Sequence, residues 1–310
     1  MYAPPKDIET SVYARIPEEF HATERPSAWL QGRGAAPTHS FLEGPSFDRA
    51  GNLYTVDLAH GRIFRIAPDR SWSVFADYDG IPNGLKLHRD GRIFVADHQN
   101  GLLVFNPETG ERLDDPRTRH SFKGLNDLTF ADNGDLYVTD QGKSGYEDLS
   151  GAVYRLRPNG ERDLIFSGLP SPNGLVMDKT QAILHVSVTR SNQVMSFPLR
   201  PEQPGSPRAR VFLQLSGSPI GPDGMARDSE GNLAVVHAGF GTVWVFSELG
   251  EPLWRVRSSA GLRTTNVAYG GAENRSLFIT EAEHGVILTA RMPVPGAVVY
   301  GLSATISPGG

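Results

Sequence analysis

Six positions of this 310-residue chain carry side chains that could act together: Glu43, Asn83, Asn126, Asn173, Asp223 and Asn266, at intervals of 40, 43, 47, 50 and 43 residues. Their flanks repeat as well, in Glu43-Gly44-Pro45, Pro82-Asn83-Gly84, Leu125-Asn126-Asp127, Pro172-Asn173-Gly174, Pro222-Asp223-Gly224 and Thr265-Asn266-Val267. Asn-Gly and Asp-Gly pairs are common turn formers, which accounts for most members of the set taken singly. Turn formation gives no reason for Glu at position 43, however, and the set as a whole offers carboxylate and amide oxygens with no thiol or imidazole. Hard cations prefer such oxygens, and Ca²⁺ fits best, because two carboxylates balance its charge and its flexible shell accepts amides and water. Zn²⁺, Mn²⁺ and Mg²⁺ are the other ions an oxygen-rich site takes. A cation held with open positions polarises a carbonyl or lowers the pKa of bound water, which is the outline of a hydrolytic centre.

The elements that position these side chains repeat with them. After each chemical position comes a turn and a β-branched or aromatic run, as in Gly51-Asn52-Leu53-Tyr54-Thr55-Val56-Asp57, Gly91-Arg92-Ile93-Phe94-Val95-Ala96-Asp97 and Gly134-Asp135-Leu136-Tyr137-Val138-Thr139-Asp140. A third strand opened by glycine follows, as at Gly61, Gly101, Gly151 and Gly241. Repeats of about 40–50 residues built from several short strands signal a propeller. The expected fold is therefore all-β, a six-bladed β-propeller with four-stranded blades, formed as one domain over residues 1–310. Phe75 and Phe212 are expected on the outermost strands. In a propeller the first strands line the channel, so the six positions converge around its mouth. Residues 1–40 form an extension ahead of the first repeat. Both Ser11–Ile16 and Ala297–Tyr300 have strand character and either completes the last blade, with residues of about 10–30 the favoured clasp. The proline-rich stretch 200–207 reads as a surface loop.

Composition narrows the function. A net charge of −5 and the lack of a dense Lys/Arg cluster exclude the usual footprint of a nucleic-acid binder. The opening residues carry acids and prolines where a signal peptide needs an apolar run, no stretch reaches the roughly 20 apolar residues of a membrane span, and there is no cysteine. The expectation is a cytoplasmic protein without membrane or nucleic-acid partners, a monomer or weak homo-oligomer acting on a small molecule.

At these residues the chain resembles the SMP-30/gluconolactonase/luciferin-regenerating-enzyme family of six-bladed propellers, with diisopropyl-fluorophosphatase as a more distant relative. The resemblance covers about residues 40–292 and rests on Glu43-Gly44-Pro45, Asn126-Asp127, Tyr137-Val138-Thr139-Asp140, Pro172-Asn173-Gly174 and Pro222-Asp223-Gly224 in that order. It implies a metal-dependent lactone hydrolase. Glu43, Asn173 and Asp223 are then the metal ligands, with Asp223 also the reacting acid, a general base toward water as in the lactonases or a nucleophile as argued for the phosphotriester hydrolase. Asn126 ligates the ion or binds substrate beside it, and Asp127 supports it. Asn83, Glu147 and His60 complete the expected substrate-binding set, with His98, Gln141, Tyr146, Arg190, His237 and His284 as further candidates on the same face. One departure stands out: several sugar lactonases place an Arg two residues before the third-repeat Asn, where this chain has Gly124. The alternatives are phosphotriester or aryl ester hydrolysis on the same metal, and a non-catalytic propeller whose metal braces a binding face.

Overall fold

A computed structural model describes residues 3–199 and 208–303; the expected loop at 200–207 lies outside the described residues. Six sheets stand in a ring, each entered by an inner strand: Leu42–Phe47, Pro82–Leu87, Leu125–Phe130, Pro172–Met177, Gly221–Arg227 and Thr264–Gly270. These open blades 1 to 6 of the six-bladed β-propeller. Within each blade the strands follow one another antiparallel from the channel outward. Second strands such as Leu53–Asp57 and Leu136–Asp140 are buried along their whole length, because a blade is covered on both faces by its neighbours. That double burial explains their nearly continuous apolar and threonine content. Apolar side chains fill the spaces between blades: Val56 and Ile63 of blade 1 meet Leu85 and Val95 of blade 2, while Val236 and Val245 of blade 5 meet Val267, Ile279 and Leu288 of blade 6.

Phe75 and Phe212 lie on the outermost strands Trp72–Asp77 and Arg210–Gln214, where expected. Blade 2 is the irregular one: after Gly101–Phe105 its fourth strand shrinks to a single bridge between Phe105 and Arg112. Charge and Pro116 crowd this segment, and the sheet edge tolerates the interruption.

The ring closes through the N-terminus. Ser11–Arg15 pairs antiparallel with Val286–Arg291 and becomes the outer strand of blade 6, while Lys6–Glu9 adds in parallel to the edge of blade 5. One continuous segment thus staples the last two blades together. Residues 297–302 take no strand position and pass across one end of the channel instead. There Tyr300 stacks on Phe130 with ring centroids 4.9 Å apart and its hydroxyl meets His88 Nε2 at 3.1 Å. Above Phe47, Lys86, Met177 and Met225 this segment encloses a cavity of about 110 Å³. No helix among the described residues is long and apolar enough to cross a membrane.

Candidate active site at the channel mouth

Every inner strand is broken by a bulge where its polar residue stands. The ladder slips between Glu43 and Ser46, Pro82 and Gly84, Leu125 and Leu128, Pro172 and Leu175, Pro222 and Met225, and Thr264 and Val267. A bulge re-aims a side chain that a regular strand would bury between blades. Hydroxyls on or just after the second strands hold it: Thr55 Oγ1 donates to the Glu43 carbonyl at 2.6 Å, Thr139 Oγ1 to that of Asn173 at 2.8 Å and Thr189 Oγ1 to that of Pro222 at 2.8 Å. The last two bonds pass from one blade to the next, so they fix neighbouring site residues relative to each other.

Registering the six strands on the bulge shows two layers. Glu43, Asn83, Asn126, Asn173 and Asp223 occupy one position, and in blade 6 the equivalent residue is Thr265, whose hydroxyl donates to the Leu42 carbonyl at 2.8 Å. Asn266, placed with the others from sequence spacing, stands one residue further on. Its equivalents are Gly44, Gly84, Gly174, Gly224 and Asp127. The sequence carries the correct register in the apolar residue after each pair, since Leu85, Leu128, Leu175, Met225 and Val267 align. Blades 3 and 6 face each other across a six-membered ring, and there Asn266 Nδ2 reaches Asp127 Oδ2 at 3.3 Å and Glu43 Oε2 at 2.9 Å. Glycine in the other blades makes room for this bridge: a Cβ on Gly84 would lie 2.7 Å from the Asp127 Cα, and one on Gly224 would lie 2.6 Å from the Asn266 Cα.

Three carboxyl groups therefore share one buried space. Burial holds Glu43 well above the usual carboxylate range, and the nearby charges of Asp223 and Asp127 push it further. Asp223 is raised to about 8, by burial first and the Asp127 charge second, and the Asn173 amide opposes the rise. Asp127 is raised by burial too, against the pull of Lys86. Two amides complete the pocket. Asn126 Nδ2 donates to Gln141 Oε1 at 3.2 Å, and Gln141 is itself anchored to Ser171 Oγ at 2.8 Å; Asn173 Nδ2 donates to Thr189 Oγ1 at 3.2 Å. Both amide oxygens, Asn126 Oδ1 and Asn173 Oδ1, are left buried without a hydrogen-bond partner. A buried polar atom with no partner costs about 1–3 kcal/mol. Crowded carboxylates beside free amide oxygens are the donor set a hard cation satisfies, so the residues present fit such an ion.

The remaining expected residues lie apart from this cluster. Asn83 is buried in the upper layer, and its side chain makes no hydrogen bond among the described residues. His60 is buried under the N-terminal segment, where Nε2 meets the Thr38 carbonyl at 2.9 Å. Glu147 and Tyr146 sit exposed on the loop after blade 3's second strand. His237 receives the Trp244 indole N–H at 3.3 Å. His98 fills the space beside Gly124, where a Cβ would lie 2.5 Å from its ring. A side chain at position 124 would have to displace the histidine ring of the neighbouring blade. Glu281, Glu283 and His284 form a second acidic group, but their carboxylates already accept backbone N–H groups of Leu262, Glu283 and His284 at 2.8–3.0 Å. Sequence reasoning missed the cover of the mouth by residues 17–41, which carries no period of its own.

The chain matches the family model described as the SMP-30/gluconolactonase/LRE-like region over residues 41–283. It is 29% identical to a gluconolactonase of Zymomonas mobilis over 280 residues, covering 79% of this chain and 77% of that one. It is 31% identical to lactonase drp35 of Staphylococcus aureus over 232 residues, 69% of each chain. Among solved structures it resembles a calcium-binding protein, regucalcin, from Agrobacterium tumefaciens, with a TM-score of 0.75 at 18% identity over 97% of this chain and all of that one. A gluconolactonase from Xanthomonas campestris superposes with a TM-score of 0.70 at 23% identity, over 82% of this chain and 86% of that one. These last two likenesses bear on the fold. Repeat, ring and family model agree, and the chain belongs to the SMP-30/gluconolactonase/LRE-like family.

Proposed function

We propose that this protein is a lactonase that hydrolyses its substrate at the channel mouth, with Asp223 as general base and Glu43, Asn173 and Asp223 as the ligands of a divalent cation, Ca²⁺ by the chemistry of the donors. The observation that carries this reading is the set of three buried carboxyl groups and two unpartnered amide oxygens around the channel mouth, with Asn266 bridging two of the carboxyls. The curated relatives named gluconolactonase and lactonase support the reaction class. A bound divalent cation supplies Lewis acidity toward a carbonyl and offsets the carboxylate charge.

The protein's own residues do the rest. Asp223, buried at the channel mouth, takes a proton from the attacking water as the water oxygen bonds to the acyl carbon. The bond from acyl carbon to ring oxygen then breaks, and the proton returns from Asp223 to that oxygen, leaving a hydroxy acid. Gln141 turns the Asn126 oxygen inward, where it accepts from a substrate hydroxyl or meets the cation. Asn266 bridges Glu43 and Asp127 and fixes the floor on which the substrate rests. With the opposite end crossed by residues 297–302, the substrate arrives over the mouth.

Asp223→Asn tests the assignment, since it keeps the shape and removes the base. A loss of at least about 10²-fold in kcat on a hydrolysed lactone is expected, the usual contribution of a general base. Full turnover by the variant would remove Asp223 from the reaction.

A further inference from the structure

Residues 17–41 cross the face that carries the site and are pinned there by blade 1. Arg62 donates to the Phe20 carbonyl at 2.8 Å, Ser27 Oγ to the Ala59 carbonyl at 2.5 Å, and His60 Nε2 meets the Thr38 carbonyl. Within this cover the short helix Ala28–Gln31 is followed by Arg33, whose guanidinium lies 4.7 Å over the Trp29 ring. Trp29 sets its edge on Phe41 at 4.8 Å, and Arg263 approaches Phe41 from blade 6 at 5.9 Å. Cation–π contacts thus hold two arginines on one aromatic pair. A third, Arg190, directly follows Thr189, whose hydroxyl receives the Asn173 amide.

These charges are close enough to act on one another. Burial lowers Arg33, and the Arg190 and Arg263 charges lower it further; Arg33 in turn contributes to lowering His98, after burial. His98 belongs to blade 2, Arg190 to blade 4 and Arg263 to blade 6, which alternate around the ring. Arg33 and Arg263 meet across Trp29 and Phe41, and Arg190, directly after Thr189, stands exposed with them on this face of the ring. Among the described residues none of the three arginines pairs with an acid or donates a side-chain hydrogen bond. Three carboxylates of this face are turned to the backbone: Asp97 to Ile81 and Gln99, Asp140 to Gly124, and Glu283 to Leu262. Like charges gathered without a counter-ion are unfavourable, and guanidinium forks match the oxygens of carboxylate and phosphate.

We propose that Arg33, Arg190 and Arg263 bind an anionic group, a carboxylate or a phosphate, carried by the lactone, an inference that rests on the hydrolase reading above. The substrate then lies with its charged end under Arg33 and its carbonyl toward Asp223. Neutral sugar lactones lack this handle, and Gly124, beside His98, offers no side chain to hold their hydroxyls.

The test compares charged with neutral substrates in Ca²⁺-loaded protein. Each pair shares its lactone ring and differs in one anionic group: 5-oxotetrahydrofuran-2-carboxylate against its primary amide, and 6-phosphoglucono-δ-lactone against glucono-δ-lactone. Wild-type protein is expected to prefer one anion by at least about tenfold in kcat/KM, and whichever pair shows the preference identifies carboxylate or phosphate. That ratio falls at least tenfold in Arg33→Gln/Arg190→Gln/Arg263→Gln, is partly restored by Lys at position 33, and is unmoved by Arg119→Gln on the outer rim. Equal turnover of charged and neutral partners, or equal losses on both in the triple variant, would overturn the anion site while leaving hydrolysis intact. Binding is read separately by calorimetry with pyroglutamate, its neutral amide and inorganic phosphate, none of which a lactonase opens. Arginine-dependent binding of either anion without turnover of any lactone would keep the anion site and sink the hydrolase reading; absence of both binding and charge preference sinks the anion site.

Discussion

Replacing Asp223 by Asn should inactivate the enzyme and, in a chelator, make it more stable. The folded-state value of Asp223 stands near 8 against an ordinary 3.8, raised by burial and by the Asp127 charge. An acid whose value is raised in the folded state binds its proton more tightly there. Its favourable contribution is complete below pH 3.8 and disappears as the pH climbs to 8. At about 1.4 kcal/mol for each pH unit between the two values, the ionised carboxylate costs the metal-free fold up to about 6 kcal/mol at pH 8 and above. Asn cannot ionise, keeps the shape and retains an oxygen for the Asn173 amide. If only a third of the upper limit is recovered, Tm rises by about 3 °C. Thermal unfolding of both proteins in EDTA, at pH 4.5 and pH 8.5, measures this. The gain at the lower pH should be only about a fifth of that at the higher. With Ca²⁺ in excess the order should reverse, because the variant has lost a charged ligand. A variant less stable than wild type in EDTA at pH 8.5, or a difference that ignores pH, would refute the crowding of carboxylates on which the site is built.

The floor of the site makes a steric prediction: Gly224→Ala places a Cβ against Asn266 and should destabilise by about 1–3 kcal/mol, seen as a lower Tm, with Asn266→Ala recovering part of the loss. Gln141→Leu leaves the Asn126 amide N–H without its acceptor; kcat/KM should drop about tenfold, in line with the 1–3 kcal/mol of an unsatisfied buried donor, while Tm shifts by no more than a few degrees. Removing residues 1–15 strips the outer strand of blade 6 and the added strand of blade 5, so urea unfolding should move to a lower midpoint and limited proteolysis should cut first in the exposed edge Val286–Arg291. Unchanged urea midpoints would mean the ring closes without its clasp.

Much of the architecture was legible because a propeller repeats its instructions. Each blade needs a Gly-opened turn and a doubly buried second strand, and those demands leave the same residues at each repeat. The site was legible for the same reason: Glu43 and Asp223 break a run of Asn at equivalent places. In the last blade spacing misled, since Thr265-Asn266 mimics Asn-Gly one residue out of register; the apolar Val267 marks the true register, and the bulge ladder places Thr265 in the upper layer. The bridge from Asn266 to Asp127 joins residues 139 apart, a contact across the channel that no local pattern encodes. The N-terminal cover was invisible because it has neither strand alternation nor repeat and is held by single side chains, Arg62, Ser27 and His60. The choice between the two termini for closing the ring also depended on the tertiary fold, since both carry similar strand-forming residues.

The central claim is that lactone hydrolysis takes place on the oxygen donors gathered at the channel mouth, with a divalent cation held among them. It is tested most directly by stripping the protein of metal, adding back Ca²⁺, Zn²⁺, Mn²⁺ or Mg²⁺ singly, and following acid release from a panel of charged and neutral lactones with a pH indicator. The account predicts no turnover in the stripped protein, recovery with Ca²⁺ above the other ions, and no recovery with any ion in Glu43→Gln or Asp223→Asn. Full activity in the stripped protein, or wild-type turnover in those two variants, would contradict it.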